Sequence, residues 1–275
     1  MNGLFSYYEG DSFLHRRNPT LKLLSLSVIV LAVTMAFDPW TPLVFFILTL
    51  LAHRVLGRVP LRSLARPLTV FFTLGALGFV SSNALFYAPP AGRAVTVLWE
   101  NGPLRVTAEG LQVGVSLTIR MMAIVMCSMA FVTTTDPTDF ILSLIQHARF
   151  PFRLGYGVMV AYRFLPLWRS ELEIIRAAHR VRGIGERTTL KGRWEQLRRY
   201  AVPLLASAIR KSERVATAMD SKAFGALPKR TYYRRLDIDW IDWAMLGGTI
   251  LATALILFVL ARTGLLSGYG IVPQE

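Results

Sequence analysis

Two short basic triplets, at positions 181–183 and 221–223, have the residue types to bind another protein. Each places one long cation between small or slender neighbours at the predicted C-terminal end of an amphipathic helix. Because its neighbours are short, the cation can reach beyond the helix into a groove of a partner. A cation at this place also complements the helix dipole, a stabilisation of about 0.3–1 kcal/mol, so the pattern alone leaves a purely structural role open. The triplets are Val181, Arg182 and Gly183, and Ser221, Lys222 and Ala223.

Catalysis and metal binding find little support in the residue types. The sequence contains no GxxxxGK[ST] phosphate-binding loop, so ATP would have to be bound by other chains. The single cysteine, Cys127, excludes a disulfide within the chain. Four histidines lie far apart and lack the spacing of metal ligands. We therefore expect no catalytic residue, cofactor or metal in this chain. The histidines are His15, His53, His147 and His179.

The elements that position these residues are apolar segments. The chain is 53% hydrophobic, yet it carries 31 Lys and Arg against 17 Asp and Glu. A nucleic-acid binder would spread its cations over a polar surface, whereas here long apolar stretches separate them. A transmembrane helix needs about 20 mostly apolar residues. The segment at 43–52 is short, but a turn signal at 38–42 favours a span there. The five predicted spans are residues 23–37, 43–52, 68–86, 111–134 and 240–261.

The cations predict an orientation. With five spans, 27 of the 31 Lys and Arg fall in loops on one side, and only Arg93 and Arg105 fall in loops on the other. Positive loops face the cytoplasm, so the N-terminus is predicted inside and the C-terminus outside. The sequence thus predicts an all-α integral membrane protein with about five transmembrane helices. Its predicted domains are an N-terminal membrane domain of about four spans at 1–134, a cytoplasmic helical insert at 135–239, and a last span with a short external tail at 240–275.

One charge, Arg120, lies within a predicted span. A charge inside a membrane is costly and is usually paired or functional. No acid lies at a matching depth in the other predicted spans. We expect Arg120 either to snorkel towards the membrane surface or to pair with an acid on a partner protein.

The cytoplasmic insert is predicted to contain two or three amphipathic helices. A first helix begins near Asp136, where Asp and the following proline are typical of a helix start. Apolar residues at 155–168 predict a separate helix, followed by an amphipathic one at 169–187 that Gly183 and Gly185 end. A longer one covers 194–224, with Pro203 either kinking it or marking its start. The apolar positions expected to pack at a helix crossing and against a partner are Leu172, Ile175, Leu204, Ala208, Val215 and Met219.

At these residues the sequence resembles the transmembrane T-component (EcfT/CbiQ-like) of energy-coupling factor transporters, the ABC-type vitamin and metal importers of prokaryotes. In that family, Ala-Arg-Gly type triplets end two cytoplasmic coupling helices, and the two basic triplets fall where those belong. The resemblance extends to EGDSFLHRRNPTLKLL (9–24), RFLPLWRSELEIIRAA (163–178), VPLLASAIRKSERVATAMDSKAFG (202–225) and RTYYR (230–234). It covers most of the chain, and the coupling region is its specific part.

The resemblance implies a non-catalytic subunit of the prokaryotic cell (inner) membrane. It implies that Arg182 and Lys222 each insert into a groove on one of two cytoplasmic ATP-binding subunits, which hold the ATP and Mg²⁺. It also implies that the membrane part cradles a substrate-binding S-component, which binds a vitamin or related micronutrient. Arg120 could pair with an acid of that partner. The substrate is chosen by the S-component and is therefore not encoded here.

Two departures from the family pattern concern the triplets. Val181 replaces an alanine, and the second triplet has Lys222 and Ala223 where arginine and glycine are usual. Lysine keeps the charge but lacks the fork that binds a carboxylate through two hydrogen bonds. Two alternatives stay open: a stand-alone secondary transporter, which should show internal repeats, and an ordinary ABC permease subunit, which normally carries one coupling helix. The external loop at 87–110 contains strand-like pieces (VTVLW, LRVTA) without an assigned role.

Overall fold

The computed structural model describes residues 7–8, 10–36, 38–86, 96–101, 104–183, 189–227 and 231–264. The chain divides into two compact units. The main unit comprises Met1–Ser143 and Leu236–Glu275, and the hairpin unit comprises Leu144–Arg235. The hairpin unit is thus inserted in sequence between residues 143 and 236 of the main unit, a range that lies within the predicted insert at 135–239.

All five predicted apolar segments are helical over nearly all of their described residues. The helices of the main unit are α1 (Pro19–Met35), α2 (Trp40–Leu56), α3 (Leu61–Gly75), a π-helical turn (Ala76–Val80), α4 (Ser81–Phe86), α5 (Ala108–Thr134), α6 (Pro137–His147) and α9 (Trp240–Arg262). Among the described residues, three helices are long and apolar enough to cross a membrane: Arg62–Phe86, Ala108–Thr134 and Trp240–Arg262. Helices α1 and α2 have 17 residues each. The ten-residue estimate for the second segment is wrong, because α2 extends beyond 43–52 at both ends.

Helix α5 lies at the centre of the main unit. Val33 of α1 and Phe45 of α2 pack with Ala123 of α5 in one buried cluster. Leu64 of α3 packs with Met126 and Met129 of α5 in a second cluster. The two clusters hold α1, α2 and α3 against α5 by burial of apolar side chains.

Close approach of α5 to the π-helical turn depends on a glycine. A Cβ at Gly114 would lie 2.6 Å from the Cα of Val80 and 2.8 Å from the carbonyl oxygen of Phe79. Both are backbone atoms, which cannot move aside as a flexible side chain would. Gly114 therefore sets the distance between α5 and this turn.

Side-chain caps fix two of the helix starts. The carboxylate of Asp136 accepts hydrogen bonds from the backbone N–H groups of Thr138 (2.8 Å) and Asp139 (3.2 Å), so the predicted start of α6 is confirmed. The carboxylate of Asp38 accepts hydrogen bonds from the N–H (2.6 Å) and hydroxyl (3.0 Å) of Thr41. The second cap closes the predicted turn between α1 and α2.

One element departs from the all-α prediction. Strands β1 (Val97–Asn101) and β2 (Leu104–Thr107) pair antiparallel and lead directly into α5. They coincide with the strand-like pieces of the sequence. The other described elements are helices.

The hairpin unit consists of two long helices, α7 (Phe152–Val181) and α8 (Leu190–Ser221). The expected separate helices at 155–168 and 169–187 form one helix, because the hydropathy changes there without any residue that breaks the backbone. Pro203 lies inside α8 and does not mark its start. The first predicted helix end, at Gly183, is confirmed, whereas Gly185 lies outside the described residues.

Candidate functional site

Helices α7 and α8 pack against each other in antiparallel directions. Near the start of α7, the ring of Tyr156 meets that of Phe224 edge-on at 5.4 Å between centroids, just beyond the end of α8. Near the end of α7, His179 meets Tyr200 edge-on at 5.3 Å. The helices therefore run past each other over most of their lengths, and their C-terminal ends point in opposite directions.

A half-exposed ion pair joins the middle of the two helices. The carboxylate of Glu171 accepts hydrogen bonds from the Nζ of Lys211 (2.6 Å) and the Oγ of Ser207 (2.9 Å). These two hydrogen bonds, with the charge of Lys211, hold the pKa of Glu171 below its ordinary value of 4.5. Because the acceptor is on α7 and both donors are on α8, the interaction fixes how far one helix can slide along the other.

The six predicted apolar packing residues are half-buried within the hairpin unit. Their burial is consistent with the contact between α7 and α8. Packing against a substrate-binding partner stays a prediction for them. These residues are Leu172, Ile175, Leu204, Ala208, Val215 and Met219.

The first basic triplet forms the exposed end of α7. Arg182 is the C-cap residue, with φ −78° and ψ 9°, and Gly183 follows in the left-handed region at φ 73°. The N–H of Gly183 donates to the carbonyl of Arg180 at 3.0 Å. Val181 is 90% exposed, a high value for a β-branched apolar residue. The local structure is a glycine C-cap that turns the chain away and leaves the arginine at the tip.

The second triplet forms the end of α8 with the same backbone geometry. Lys222 is the C-cap residue, with φ −92° and ψ 15°, and Ala223 follows in the left-handed region at φ 55°. The N–H of Ala223 donates to the carbonyl of Asp220 (2.9 Å), and that of Phe224 to the carbonyl of Met219 (3.0 Å). These two bonds define a Schellman motif, which here has alanine where glycine is usual.

Both tips present an unengaged cation. Within the described ranges, neither Arg182 nor Lys222 has a hydrogen-bonded or ion-paired side-chain partner. All six triplet residues are exposed. His179, near the end of α7, packs against Tyr200 of α8, so Arg182 lies near the level of Tyr200. Lys222 lies at the far end of α8, beside the start of α7. At 1.5 Å per residue along α8, the two cations are on the order of 30 Å apart. The arrangement can bind two acidic grooves at once, one at each end of the hairpin.

Comparison with known proteins places the chain in a family. The model of the family CbiQ, described as cobalt transport protein, matches residues 10–233, which include both tips. The chain belongs to the CbiQ family. It is also similar to proteins named energy-coupling factor transporter transmembrane protein EcfT. The relative from Staphylococcus aureus (strain 04-02981) is 29% identical over 266 residues, which cover 94% of this chain and 96% of the relative. Those from Thermosediminibacter oceani and Bacillus subtilis (strain 168) are 28% and 24% identical; the alignments cover 86% and 93% of this chain, and 90% and 97% of the relatives.

Within the membrane helices of this CbiQ-family chain, Arg120 has an intramolecular partner. Its guanidinium donates a hydrogen bond to the carbonyl of Ala36, the C-cap residue of α1. The carboxylate of Asp38 adds an electrostatic attraction. Arg120 thus satisfies a backbone carbonyl at the end of α1. This contact was not predicted from the sequence, which led us to expect snorkelling or a partner's acid.

Sequence patterns did not reveal a buried polar cluster at the start of α1. Lys22, counted among the cytoplasmic loop cations, is buried, and its Nζ donates to the carbonyl (3.1 Å) and hydroxyl (3.3 Å) of Thr134 and to the hydroxyl of Thr135 (3.1 Å). Asn18 and Asp242 are buried beside it. The only sequence signal was Asn-Pro at 18–19, which is typical of a helix start.

The titratable residues that the structure describes are spread over several elements. Among the described residues, no group of three or more His, Cys, Asp and Glu is placed to hold a metal ion. His53 is buried near the hydroxyl of Thr133 (3.4 Å), and His179 hydrogen-bonds its own helix at the carbonyl of Ile175. The buried thiol of Cys127 lies 3.8 Å from the hydroxyl of Thr49. Each of these contacts is accounted for by packing.

Proposed function

We propose that this chain is the T-component of an energy-coupling factor transporter, the membrane subunit that links two cytoplasmic ATP-binding subunits to a substrate-binding S-component. The observation that carries the proposal is the pair of unengaged cations, Arg182 and Lys222, at opposite ends of one pair of antiparallel helices. Membership of the CbiQ family and similarity to EcfT proteins support it.

In this proposal each tip cation enters an acidic groove on one ATP-binding subunit. Short neighbours at both tips let the groove close around the side chain, and exclusion of water strengthens its attraction to carboxylates. Because the two tips lie about 30 Å apart at opposite ends of the helix pair, we assign each tip to its own subunit. The pair can be a homodimer or a heterodimer.

Motion of the two ATP-binding subunits would then act on α7 and α8 as levers. Glu171, bonded to Lys211 and Ser207, restricts sliding between the helices, so that they would move by rotation about their crossing. The exposed apolar side chains of α8 at Val202, Leu205 and Ile209 are available to a membrane-embedded S-component. ATP and Mg²⁺ would be held by the partner subunits, with no cofactor and no catalytic residue in this chain.

The proposed topology has five spans in the prokaryotic cell membrane, with the N-terminus and the hairpin unit in the cytoplasm and the C-terminus outside. The asymmetry of Lys and Arg between the loops supports it. The cargo is a vitamin or a related micronutrient, and its identity is set by the S-component.

Co-purification tests the proposal. The tagged chain is co-expressed with candidate ATP-binding subunits and extracted in detergent, with Arg182→Glu and Lys222→Glu singly and together. Arg214→Glu, which changes the net charge equally on the exposed surface of α8, is the matched control. We expect wild type and the control to retain two ATP-binding chains, each single reversal to weaken retention, and the double reversal to lose both.

Three results contradict the proposal. Retention of both ATP-binding chains by the double reversal would show that the tips are only helix caps. Absence of any ATP-binding chain from wild type would favour a stand-alone secondary transporter, and equal loss in the Arg214→Glu control would show a general charge effect. Size-exclusion chromatography of each variant checks that it is folded.

A further inference from the structure

Asn18, the N-cap residue of α1, connects three separate segments of the main unit. Its Oδ1 accepts hydrogen bonds from the N–H of Thr20 (3.0 Å) and the hydroxyl of Ser143 (2.8 Å). Its Nδ2 donates to the carbonyl of Leu236 at 3.4 Å. Asn18 is 4% exposed and Ser143 is fully buried. One amide therefore bonds to the middle of α6, to the segment before α9 and to its own helix. We name Asn18, Ser143 and Leu236 the Asn18 clamp.

The two distant members of the Asn18 clamp occupy special places in the chain. Ser143 is the last residue of the main unit before the hairpin unit, and Leu236 is the first residue after it. Inside the hairpin unit, the Nε2 of Gln146 donates to the carbonyl of Arg234 at 2.9 Å. The two chain segments that leave and rejoin the main unit are thus held together on either side of the boundary.

Buried charges reinforce the Asn18 clamp from α9. The carboxylate of Asp242, 2% exposed, accepts hydrogen bonds from the N–H of Asn18 (3.2 Å) and from the N–H of Asp239 (3.0 Å), and it lies 3.6 Å from a guanidinium nitrogen of Arg17. Lys22, one turn into α1, donates to the end of α5. The first turn of α1 is therefore bonded to every element that borders the hairpin unit in sequence.

Such a network specifies position more strongly than apolar packing does. A buried amide has few alternative partners, so a displaced Ser143 or Leu236 leaves an unsatisfied polar group. Apolar contacts tolerate small displacements, because they lack direction. A shift of either chain segment is consequently passed to Asn18, and through it to α1 and α9.

We infer that Asn18 is a positioning residue that transmits displacement of the hairpin unit to α1 and α9. This inference rests on the proposed function, because the displacement is the one that the ATP-binding subunits would cause. Asn18 acts by holding both chain segments at once, a role that Ser143 or Leu236 alone cannot perform.

The first experiment tests the Asn18 clamp without any partner, by hydrogen–deuterium exchange of the full chain in detergent. Asn18→Ala should raise exchange at both 137–143 and 236–242 by about tenfold. Ser143→Ala should raise it mainly at 137–143, and Asn18→Asp, which keeps the acceptor but loses the donor, mainly at 236–242. Ser27→Ala removes a serine hydroxyl that bonds only its own helix, at the carbonyl of Leu23, and should change neither. Exchange at both segments unchanged by Asn18→Ala would overturn the inference.

The second experiment uses the complex with its ATP-binding subunits and MgATP with vanadate as the probe. In wild type, the probe should change exchange of α1 and α9 at least about threefold. In Asn18→Ala with both ATP-binding chains retained, the change should be confined to residues 144–235. A wild-type complex without response in α1 and α9, or a response that persists in the variant, overturns the inference. If wild type retains no ATP-binding chain, the proposed function fails and the inference fails with it. In that case, the first experiment would still show whether Asn18 holds residues 137–143 and 236–242 in place.

Discussion

The backbone conformation at the two helix tips predicts that Gly183→Ala and Ala223→Gly change the stability of the helix ends in opposite directions. Gly183 and Ala223 both occupy the left-handed region, at φ 73° and 55°. A Cβ at Gly183 would meet no atom within 4 Å, so the cost of Gly183→Ala is conformational. Alanine in this region costs about 1 kcal/mol relative to glycine. Gly183→Ala should therefore destabilise the end of α7, and Ala223→Gly should stabilise the end of α8 by about the same amount.

Hydrogen–deuterium exchange at the tips measures both effects. The N–H groups of Ala223 and Phe224 are bonded within the Schellman motif, so their exchange requires the cap to open. Since about 1.4 kcal/mol is a factor of ten in an equilibrium, about 1 kcal/mol corresponds to roughly fivefold. Ala223→Gly should slow exchange of these amides about fivefold, and Gly183→Ala should speed exchange of the last amides of α7 by a similar factor.

An internal control separates this effect from the general cost of glycine. Ala216 is exposed in the interior of α8, where alanine is favoured, so Ala216→Gly should destabilise α8 by about 1 kcal/mol. The same change of residue type then has opposite signs within seven positions. If Ala223→Gly speeds exchange as Ala216→Gly does, Ala223 is not strained and the geometry assigned to the second tip is incorrect.

Two further predictions concern packing and pH. Gly114→Ala places a Cβ against the backbone of Val80 and should destabilise the detergent-solubilised chain by about 1–3 kcal/mol in thermal unfolding. Gly78→Ala is the control: its Cβ meets no atom within 4 Å, so it should not lower the unfolding midpoint. Equal loss of stability in both variants would contradict the packing argument. Glu171→Gln should loosen the α7–α8 pair at neutral pH, seen as faster amide exchange around Lys211. Because the pKa of Glu171 is lowered in the fold, its stabilisation is present above the ordinary value of 4.5 and is lost as the pH falls through the lowered pKa; a difference from wild type that persists at the most acidic pH would argue against the ion pair.

Local signals predicted the helices well where one residue type decides the backbone. The carboxylate of Asp136 starts α6 and Gly183 ends α7, as their positions in the sequence indicate. Hydropathy located the apolar helices but placed a helix boundary at 168–169 where α7 is continuous. A change from apolar to amphipathic sequence does not by itself end a helix. Strand pieces at 97–107 were visible as β-branched and aromatic residues.

Contacts between residues far apart in the chain could not be predicted from sequence patterns. Lys22 and Thr134, and Asn18 and Leu236, are far apart in the chain, and nothing in their local sequence indicates that they bond. Lys22 near the start of an apolar segment looks like any loop cation, and only the fold shows that it is buried. The same holds for the tips: the sequence indicated two cations at helix ends, but the antiparallel packing that separates them needed the structure.

The two tips share a backbone but differ in chemistry, and this difference bears on the partners. Arg182 and Lys222 have nearly the same C-cap dihedral angles, so the conformation of the second tip does not depend on the glycine that it lacks. What differs is the head group, because arginine can give two parallel hydrogen bonds to a carboxylate and lysine acts as a compact point charge. Two identical grooves would therefore bind the tips unequally, with the Lys222 end the weaker. Within the proposed function, the replacement of arginine by lysine thus predicts that a homodimer of ATP-binding subunits would hold the Arg182 end more tightly than the Lys222 end.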